Sequence, residues 1–251
     1  MAREPRRPDT PFWVEAPAVR GSRLVLDEQE SHHLLKVHRS GPGAPFEAVD
    51  GEGTLYRCVI DAVDGHQVIG RIEGRELDAG ELGGRIHLLV GMPDFAAAES
   101  VVARAVPLGA TTIAFVRTSR AEPWQESRAR SGRLERLARA ALKQCRRTRL
   151  PRIAFPPSLQ AALEEVPGGP RFLADSGGAT WSESLRSGVS QGETLAVGPP
   201  GGFDPDEMDR LRAGDFLCIS LGPNRLTTED AVGALLTLAR QNFLPPATSR
   251  H

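Results

Sequence analysis

The stretch Thr194-Leu-Ala-Val197, Gly198-Pro-Pro-Gly-Gly-Phe203, Asp204-Pro-Asp-Glu207 decides the fold of the larger part of this chain. Its short apolar run predicts a buried strand, and the glycine and proline residues that follow predict a sharp bend. Asp204 is a favoured N-cap, Pro205 suits the first helical position, and acidic residues occupy the first turn. The stretch therefore predicts a strand, a rigid loop and a helix in immediate succession.

The same succession of signals recurs nearer the C-terminus. Phe216-Leu-Cys-Ile219 predicts a strand, a Gly-Pro bend follows at Gly222, and Thr227 or Thr228 is the expected N-cap of a last helix. Further apolar runs of four or five residues alternate with helical patterns, at 86–90, 112–116 and 171–174. This alternation predicts an α/β domain built around a mainly parallel sheet.

The N-terminal part of the chain has a different pattern. Residues 12 to about 77 indicate strands and turns, with a short polar helix over Glu28–Arg39. The clearest strands are Arg23–Leu26 and Leu55–Ile60, with a hairpin turn at Asp50–Gly53. Asp78-Ala-Gly-Glu-Leu-Gly-Gly84 is small, polar and glycine-rich, as linkers are. We therefore expect a small β-rich domain at 1–78 and an α/β domain at 85–251.

The composition excludes several classes of protein. Of 251 residues, 40% are apolar and 25% charged, a balance typical of globular proteins. Cys58, Cys145 and Cys218 are too few and too widely spaced for a disulfide framework or a zinc site, so no metal is expected. No apolar run approaches the ~20 residues of a membrane span. The charged N-terminus lacks the apolar core of a secretory signal, so a cytoplasmic location without membrane attachment is expected.

The charge is unevenly distributed along the chain. The net charge is −1, but the segment from Arg117 to Arg152 contains twelve basic and three acidic residues and carries +9. Within it, Leu134, Ala138 and Leu142 recur at helical spacing, and basic residues occupy the opposite arc. Few acids stand at i,i+4 to pair with them. The pattern favours a helix whose cationic face meets a polyanion, with an ordinary solvated face as the alternative.

The strand-end loops are the candidate ligand sites, because open α/β sheets bind ligands at the carboxyl ends of their strands. A P-loop beginning at Gly198 would need Gly at 203 and Lys at 204, where this chain has Phe203 and Asp204. No Gly-x-Gly-x-x-Gly follows a strand, so a nicotinamide or flavin site has no support. The anionic Asp204 favours a less anionic ligand held by backbone groups. A third loop of this kind is Asp175-Ser-Gly-Gly178.

These residues resemble a known family. Val197–Glu207 and Leu221-Gly-Pro-Asn-Arg-Leu-Thr-Thr-Glu-Asp-Ala231 are similar to the two signature loops of the RsmE-type ribosomal RNA uridine-N3 methyltransferases. Ser31–Arg39 followed by Asp50–Gly53 resembles the N-terminal PUA-like barrel of that family, and Lys143-Gln-Cys-Arg-Arg-Thr-Arg-Leu-Pro151 resembles its stretch of glutamine, arginines and proline. The resemblance covers nearly the whole chain. It implies a C-terminal SPOUT α/β trefoil-knot domain with a smaller N-terminal PUA-like β-barrel domain.

The resemblance also implies a cofactor, S-adenosyl-L-methionine, in a pocket where glycines let the backbone approach the ligand. The cofactor-binding residues that it implies are Leu173, Ala174, Val197, Gly198, Pro199, Gly201, Gly202, Ser220, Leu221, Gly222, Asn224 and Leu226. The chain departs from the family at Pro200, where a glutamate is usual, and at Thr227, where an arginine is usual. These two departures bear on catalysis.

Methylation at N3 of uridine sets the requirements for catalysis. N3 must lose its proton, and negative charge then spreads onto O2 and O4, so a proton acceptor and a nearby cation are needed. Arg225 is the candidate for stabilising that charge, and Asn224 for hydrogen bonding to the base or the cofactor. Glu229 is the candidate that takes the proton or merely holds Arg225, with a purely helix-stabilising role at the helix start as an equal alternative. The target base would have to be unstacked.

The expected partner is ribosomal RNA or the small ribosomal subunit. The predicted RNA-binding residues are His33, Lys36, Arg39, Arg139, Lys143, Arg146, Arg147 and Arg149. A homodimer is expected from the resemblance, with the apolar stripe of the last helix as a candidate interface or, alternatively, as packing within one monomer. The alternative function is a SPOUT-fold RNA-binding protein with lost catalysis or altered specificity, which the change at Thr227 favours.

Overall fold

The computed structural model describes residues 7–121, 124–181 and 191–244. They form two compact units: the first contains the residues before position 82 together with 139–150, and the second contains 82–138 and the residues after 150. The predicted boundary lay in the linker 78–84, and the units divide within that linker. Residues 139–150 are grouped with the N-terminal unit, whereas the sequence pattern placed them in a continuous α/β domain.

The first unit is built on one six-stranded sheet of order β1-β4-β5-β6-β3-β2. Its pairs are antiparallel except for β1 with β4. Register shifts in β5 after Arg57 and Ile60 bend the sheet around a core that includes Phe12, Leu34 and Phe46. The strands are β1 Phe12–Trp13, β2 Val19–Arg20, β3 Arg23–Val25, β4 Pro45–Val49, β5 Thr54–Asp64 and β6 Gln67–Leu77. This curled, barrel-like sheet confirms the predicted β-rich N-terminal fold.

The polar helix expected over 28–39 is present in two parts. Helix α1 spans Glu28–His32, and its N-cap Asp27 accepts a hydrogen bond from the amide of Glu30. A π-helical turn, His33–Val37, continues it. Arg39 has a φ of 53°, in the left-handed region, so the helix ends there. A short 3₁₀ segment, Ala16–Ala18, lies between β1 and β2.

The second unit contains a six-stranded sheet in which every pair is parallel, in the order β12-β10-β11-β7-β8-β9. The strands are β7 Arg85–Gly91, β8 Ala110–Val116, β9 Arg152–Ala154, β10 Arg171–Thr180, β11 Gly192–Val197 and β12 Phe216–Ser220. Five of these match the predicted apolar runs, and β9 is the one that the sequence pattern missed. The predicted parallel α/β sheet is confirmed.

Helices connect these parallel strands. Their bounds are α2 Phe95–Ala105, α3 Arg128–Cys145, α4 Leu159–Glu164, α5 Pro205–Ala213 and α6 Thr228–Ala239, followed by a 3₁₀ segment at Arg240–Phe243. The predicted caps are confirmed. Asp204 and Glu207 form a reciprocal capping box at α5, and Thr227 caps α6 by accepting from the amide of Asp230. Across the described part of the chain, no helix is long and apolar enough to cross a membrane.

The apolar stripe of α6 is used inside the second unit. Val232, Leu235, Leu236 and Ala239 are fully buried, and α6 packs against α2. An ion pair between Arg104 of α2 and Asp230 of α6, at 2.7 Å, lies beside this packing. The stripe is therefore covered within one chain, which is the second of the two predicted alternatives.

Strand order brings the predicted ligand loops together. β10 lies between β12 and β11, so the segments that follow these three strands meet at one edge of the sheet. Asp175–Gly178 is an irregularity within β10 rather than the free loop that the sequence suggested, because pairing with β12 resumes at Ala179. The carboxyl edge of this sheet is where the site is found.

Candidate functional site

A cavity of about 380 Å³ opens at the carboxyl edge of the parallel sheet. Two segments supply most of its wall, Val197–Phe203 at the end of β11 and Arg225–Thr228 at the start of α6. Ala174 and Asp175 of β10, Arg120, Met208 and Ala231 complete it. Its volume lies within the range of small-molecule sites, ~300–1,000 Å³.

The loop after β11 has a tightly constrained backbone. The amide of Gly202 donates to the carbonyl of Pro199 at 2.7 Å, and Gly202 has a φ of 72°, which favours glycine. A Cβ on Gly202 would meet no atom within 4 Å, so open space lies beside this glycine. On the facing strand, a Cβ on Gly91 would lie 2.3 Å from Cδ of Pro199. The loop is therefore held close to β7 and leaves room on its cavity side.

Two side chains tie the second loop to the first. The hydroxyl of Thr228 donates to the carbonyl of Gly198 at 3.1 Å, and Nη2 of Arg225 donates to the carbonyl of Pro200 at 2.9 Å. Thr228 is buried, whereas Arg225 is exposed at the cavity. Arg225 is thus fixed through one nitrogen, and its other donors remain available to a ligand.

Asp175 contributes the one carboxylate in the cavity wall, as far as the described residues show. Its Oδ1 accepts from the amide of Gly177 at 2.8 Å, which orients the side chain. Nearby, a Cβ on Gly178 would lie 2.5 Å from the backbone of Cys218, so the irregular part of β10 is closely packed on β12. Asp175 supplies an acceptor that the sequence indicated only as part of a candidate loop.

A fourth loop, 117–121 after β8, was not predicted as part of the site. Nη1 of Arg120 donates to the carbonyl of Gly201 at 3.0 Å and lies 3.4 Å from that of Phe203. The amide of Ser119 donates to Oε1 of the buried Glu207 at 2.7 Å. A hydrogen bond from the Ser119 side chain lowers the pKa of Asp204. The sequence marked this segment as the start of the basic stretch Arg117–Arg152 but not as part of a ligand site.

The predicted cofactor residues divide into two groups. Those that line the cavity are Ala174, Val197, Gly198, Pro199, Gly201, Gly202 and Leu226. Those outside its lining are Leu173, which is fully buried, and Ser220, Leu221, Gly222 and Asn224. Of the other two catalytic candidates, Arg225 lines the cavity, and Glu229 lies in the first turn of α6 outside the lining. Glu229 there has the position expected of a helix-stabilising acid.

The basic residues near the end of α3 are paired with acids of the first unit. Arg139 lies 2.7 Å from Glu15 and stacks over the ring of Trp13. Lys143 pairs with Glu30, Arg146 with Glu47, and Arg149 with Asp78 at 2.6 Å. The sequence showed few acids at i,i+4, but these partners come from distant strands and turns. Much of the predicted cationic charge is therefore compensated within the fold.

Arg147 is a correction to the predicted RNA-binding set. Its side chain is only 3% exposed and forms an ion pair with Glu81 at 2.7 Å. A buried guanidinium cannot reach a phosphate on the surface, so the prediction that Arg147 contacts RNA is wrong. The helical periodicity assigned it to a solvent-facing arc, but α3 ends at Cys145, and the chain turns at Arg146, whose φ is 62°.

The N-terminal candidates lie on an exposed surface. His33, Lys36 and Arg39 are all exposed, and no ion pair of the described residues involves Lys36 or Arg39. The ring of His33 lies 4.9 Å from that of His38. Burial, and then the charge of His33, lower the pKa of His38. No group of three or more His, Cys, Asp or Glu side chains suited to a metal ion is found within the described ranges.

Two known domain families match the sequence of this chain. The profile described as the RNA methyltransferase domain matches residues 81–240. The chain belongs to this family. The profile described as the RNA methyltransferase PUA domain matches residues 26–73. The resemblance inferred from the signature loops is thereby confirmed, as is the combination of a PUA-like domain with a SPOUT-type α/β domain.

Several proteins are similar to this family member over most of its length. Ribosomal RNA small subunit methyltransferase E of Mycobacterium bovis is 28% identical over 233 residues, which are 90% of this chain and 88% of the relative. The protein of the same name from Bacillus subtilis is 23% identical over 81% of this chain and 84% of its own. The crystal structure of that enzyme from Neisseria gonorrhoeae, bound to S-adenosyl methionine, superposes with a TM-score of 0.79. At 20% identity it covers 92% of this chain and 97% of the other, which shows a shared fold.

Proposed function

We propose that this RNA methyltransferase transfers a methyl group from S-adenosyl-L-methionine to N3 of a uridine in 16S ribosomal RNA of the small subunit. The observation that carries the proposal is the cavity formed by the two signature loops at the carboxyl edge of a parallel sheet. Proteins similar to this chain over most of its length are named as small-subunit ribosomal RNA methyltransferases. One of them was crystallised with S-adenosyl methionine.

The cavity has the features that a nucleoside-containing, amino-acid-bearing cofactor needs. Open space beside Gly202 lets a ligand approach the backbone of the loop, and Leu226 and Ala231 offer apolar surface for an adenine ring. Asp175 offers an oriented acceptor for hydroxyl or ammonium donors. When bound, S-adenosylmethionine supplies a methyl group on a sulfonium sulfur that an electron-rich atom can displace.

Arg225 has the geometry to stabilise a uracil anion. Its hydrogen bond to the Pro200 carbonyl fixes the guanidinium at the cavity, and its remaining N–H groups can face O2 or O4 of a base. Losing the N3 proton leaves the base negatively charged. A fixed cation stabilises this anion more than it stabilises the neutral base. Glu229 remains our candidate acceptor of the N3 proton, and Asn224 our candidate partner of the base or the cofactor.

The N-terminal unit, with the candidate RNA-binding domain at 1–78, offers the exposed cations Lys36 and Arg39 to the RNA backbone. We also propose a partial RNA-binding role for four basic residues near the end of α3, because each of them keeps donors beyond its ion pair: Arg139, Lys143, Arg146 and Arg149.

We further propose a cytoplasmic homodimer with a trefoil knot at the cofactor site, on the basis of the resemblance. Since the α6 stripe is covered by α2, the dimer contact would involve other surfaces.

A labelling experiment tests the function directly. Small subunits from a strain that lacks this gene are incubated with the purified protein and methyl-labelled S-adenosylmethionine, and the RNA is digested and analysed by mass spectrometry. We expect the label in 3-methyluridine at one position. Absence of incorporation by a protein that still binds the RNA would support the alternative, an RNA-binding protein without this activity. Label at a different base atom would indicate altered specificity.

A further inference from the structure

The two arginines of the cavity wall differ in their charge environment from the paired basic residues at and just beyond the end of α3. Arg139, Arg146 and Arg147 each pair with a carboxylate, whereas neither Arg120 nor Arg225 lies within 4 Å of a carboxylate in the part of the chain that the structure describes. Asp204 is close enough for the charge of Arg120 to lower its pKa, but its Oδ1 accepts from the amide of Glu207 as the cap of α5. The positive charge of Arg120 is therefore only weakly compensated by the described residues and can interact with an external anion.

Arg120 is also held in place at the cavity. Only Nη1 is used in hydrogen bonds to the carbonyls of Gly201 and Phe203, and Nε and Nη2 have no partner among the described residues. The side chain is exposed, so these two donors can be reached from solvent. Two adjacent N–H donors of one guanidinium fit two oxygens of a phosphate.

We propose that Arg120 binds the phosphodiester next to the target nucleotide and so anchors the RNA at the cavity. The inference rests on the proposed function. A base that enters the cavity leaves its flanking phosphates at the exposed edge, where the guanidinium of Arg120 lies. This contact is made from the loop after β8, within the basic segment Arg117–Arg152, at the edge of the cavity.

The alternative is that Arg120 acts only by holding the carbonyl of Gly201 in the cofactor loop. Two substitutions separate the roles. In Arg120→Gln the amide can still donate to Gly201 but carries no charge, whereas Arg120→Lys keeps the charge and loses the planar pair of donors. Arg152→Gln is the matched control, because Arg152 is an exposed arginine of the same unit whose charge is paired with Glu165 at 2.6 Å.

The experiment measures binding of labelled 16S ribosomal RNA over a range of salt concentrations, S-adenosylmethionine affinity by calorimetry, and the kcat and KM of methyl transfer. For Arg120→Gln we expect roughly tenfold weaker RNA binding and a slope of log K against log salt reduced by about 0.7, the value of one phosphate contact on a single strand. Arg120→Lys should recover most of the slope. Cofactor affinity should be unchanged in both variants, and Arg152→Gln should behave as the wild type.

Three results would overturn the inference. An unchanged salt slope in Arg120→Gln would show that no phosphate contact was lost. A parallel loss of cofactor affinity would show that Arg120 acts through the Gly201 loop. A lower kcat with an unchanged KM for RNA would place Arg120 at the reacting base. Failure of the wild-type protein itself to bind the cofactor or transfer methyl groups would instead contradict the proposed function, so the two failures are distinguishable.

Discussion

Replacing Glu81 by glutamine is expected to destabilise the N-terminal unit strongly. Oε1 of Glu81 accepts from the amides of Thr148 and Arg149, each at 2.8 Å. Oε2 accepts from Nε and Nη2 of Arg147 at 3.1 and 2.7 Å. A glutamine keeps one oxygen, so its NH₂ group must face donors on one of the two sides.

The magnitude follows from burial. Glu81 and Arg147 are 9% and 3% exposed, so removing the carboxylate takes away the negative charge that Glu81 places beside a buried guanidinium. Breaking one partner of a buried ion pair costs about 3–5 kcal/mol. Asp78→Asn is the matched control, because its ion pair with Arg149 is about half exposed on both sides and should contribute less than about 1 kcal/mol.

Hydrogen exchange of residues 139–150 is the appropriate measurement, because the chain has two units and global unfolding need not be two-state. We expect Glu81→Gln to lower the opening free energy of this segment by the full cost of breaking the buried ion pair. Asp78→Asn should leave that free energy nearly unchanged. If the two variants exchanged alike, the buried pair would not be what holds this segment. The role assigned to Arg147 would then have to be reconsidered.

Three further predictions concern the loop, a thiol and an imidazole. Gly91→Ala should weaken S-adenosylmethionine binding at least tenfold in calorimetry, because its Cβ would clash with Pro199. Gly132→Ala, on an open helix face, should leave this affinity unchanged. Equal cofactor affinities of the two variants would refute the loop geometry. Burial raises the pKa of Cys58 to about 12, so this thiol should resist alkylation at pH 9 until urea unfolds the protein. Burial lowers the pKa of His38, so its NMR titration midpoint should lie below the free value of ~6.5. Because the unfolded chain takes up that proton first, His38 should cost stability as the pH falls below about 6.5, and a midpoint above that value would contradict this sign.

The candidate site was predictable from sequence where its signals are local. The bend at Gly198–Phe203, the capping box at Asp204 and the cap at Thr227 depend on residues within a few positions of each other. The part that could not be predicted, Arg120, depends on strand order. Loop 117–121 reaches the site only because β8 and β11 both flank β7, with their carboxyl ends at one edge.

The sequence by itself determined the strand–loop–helix units, the β-rich N-terminal part and the concentration of positive charge in one segment. Only the tertiary structure decided which of those charges remain available. The acids that neutralise Arg139 and Arg147 lie 124 and 66 positions away along the chain. Periodicity reports which face of a helix is polar, but compensation of a charge requires a carboxylate within a few ångströms, and that proximity is created by folding.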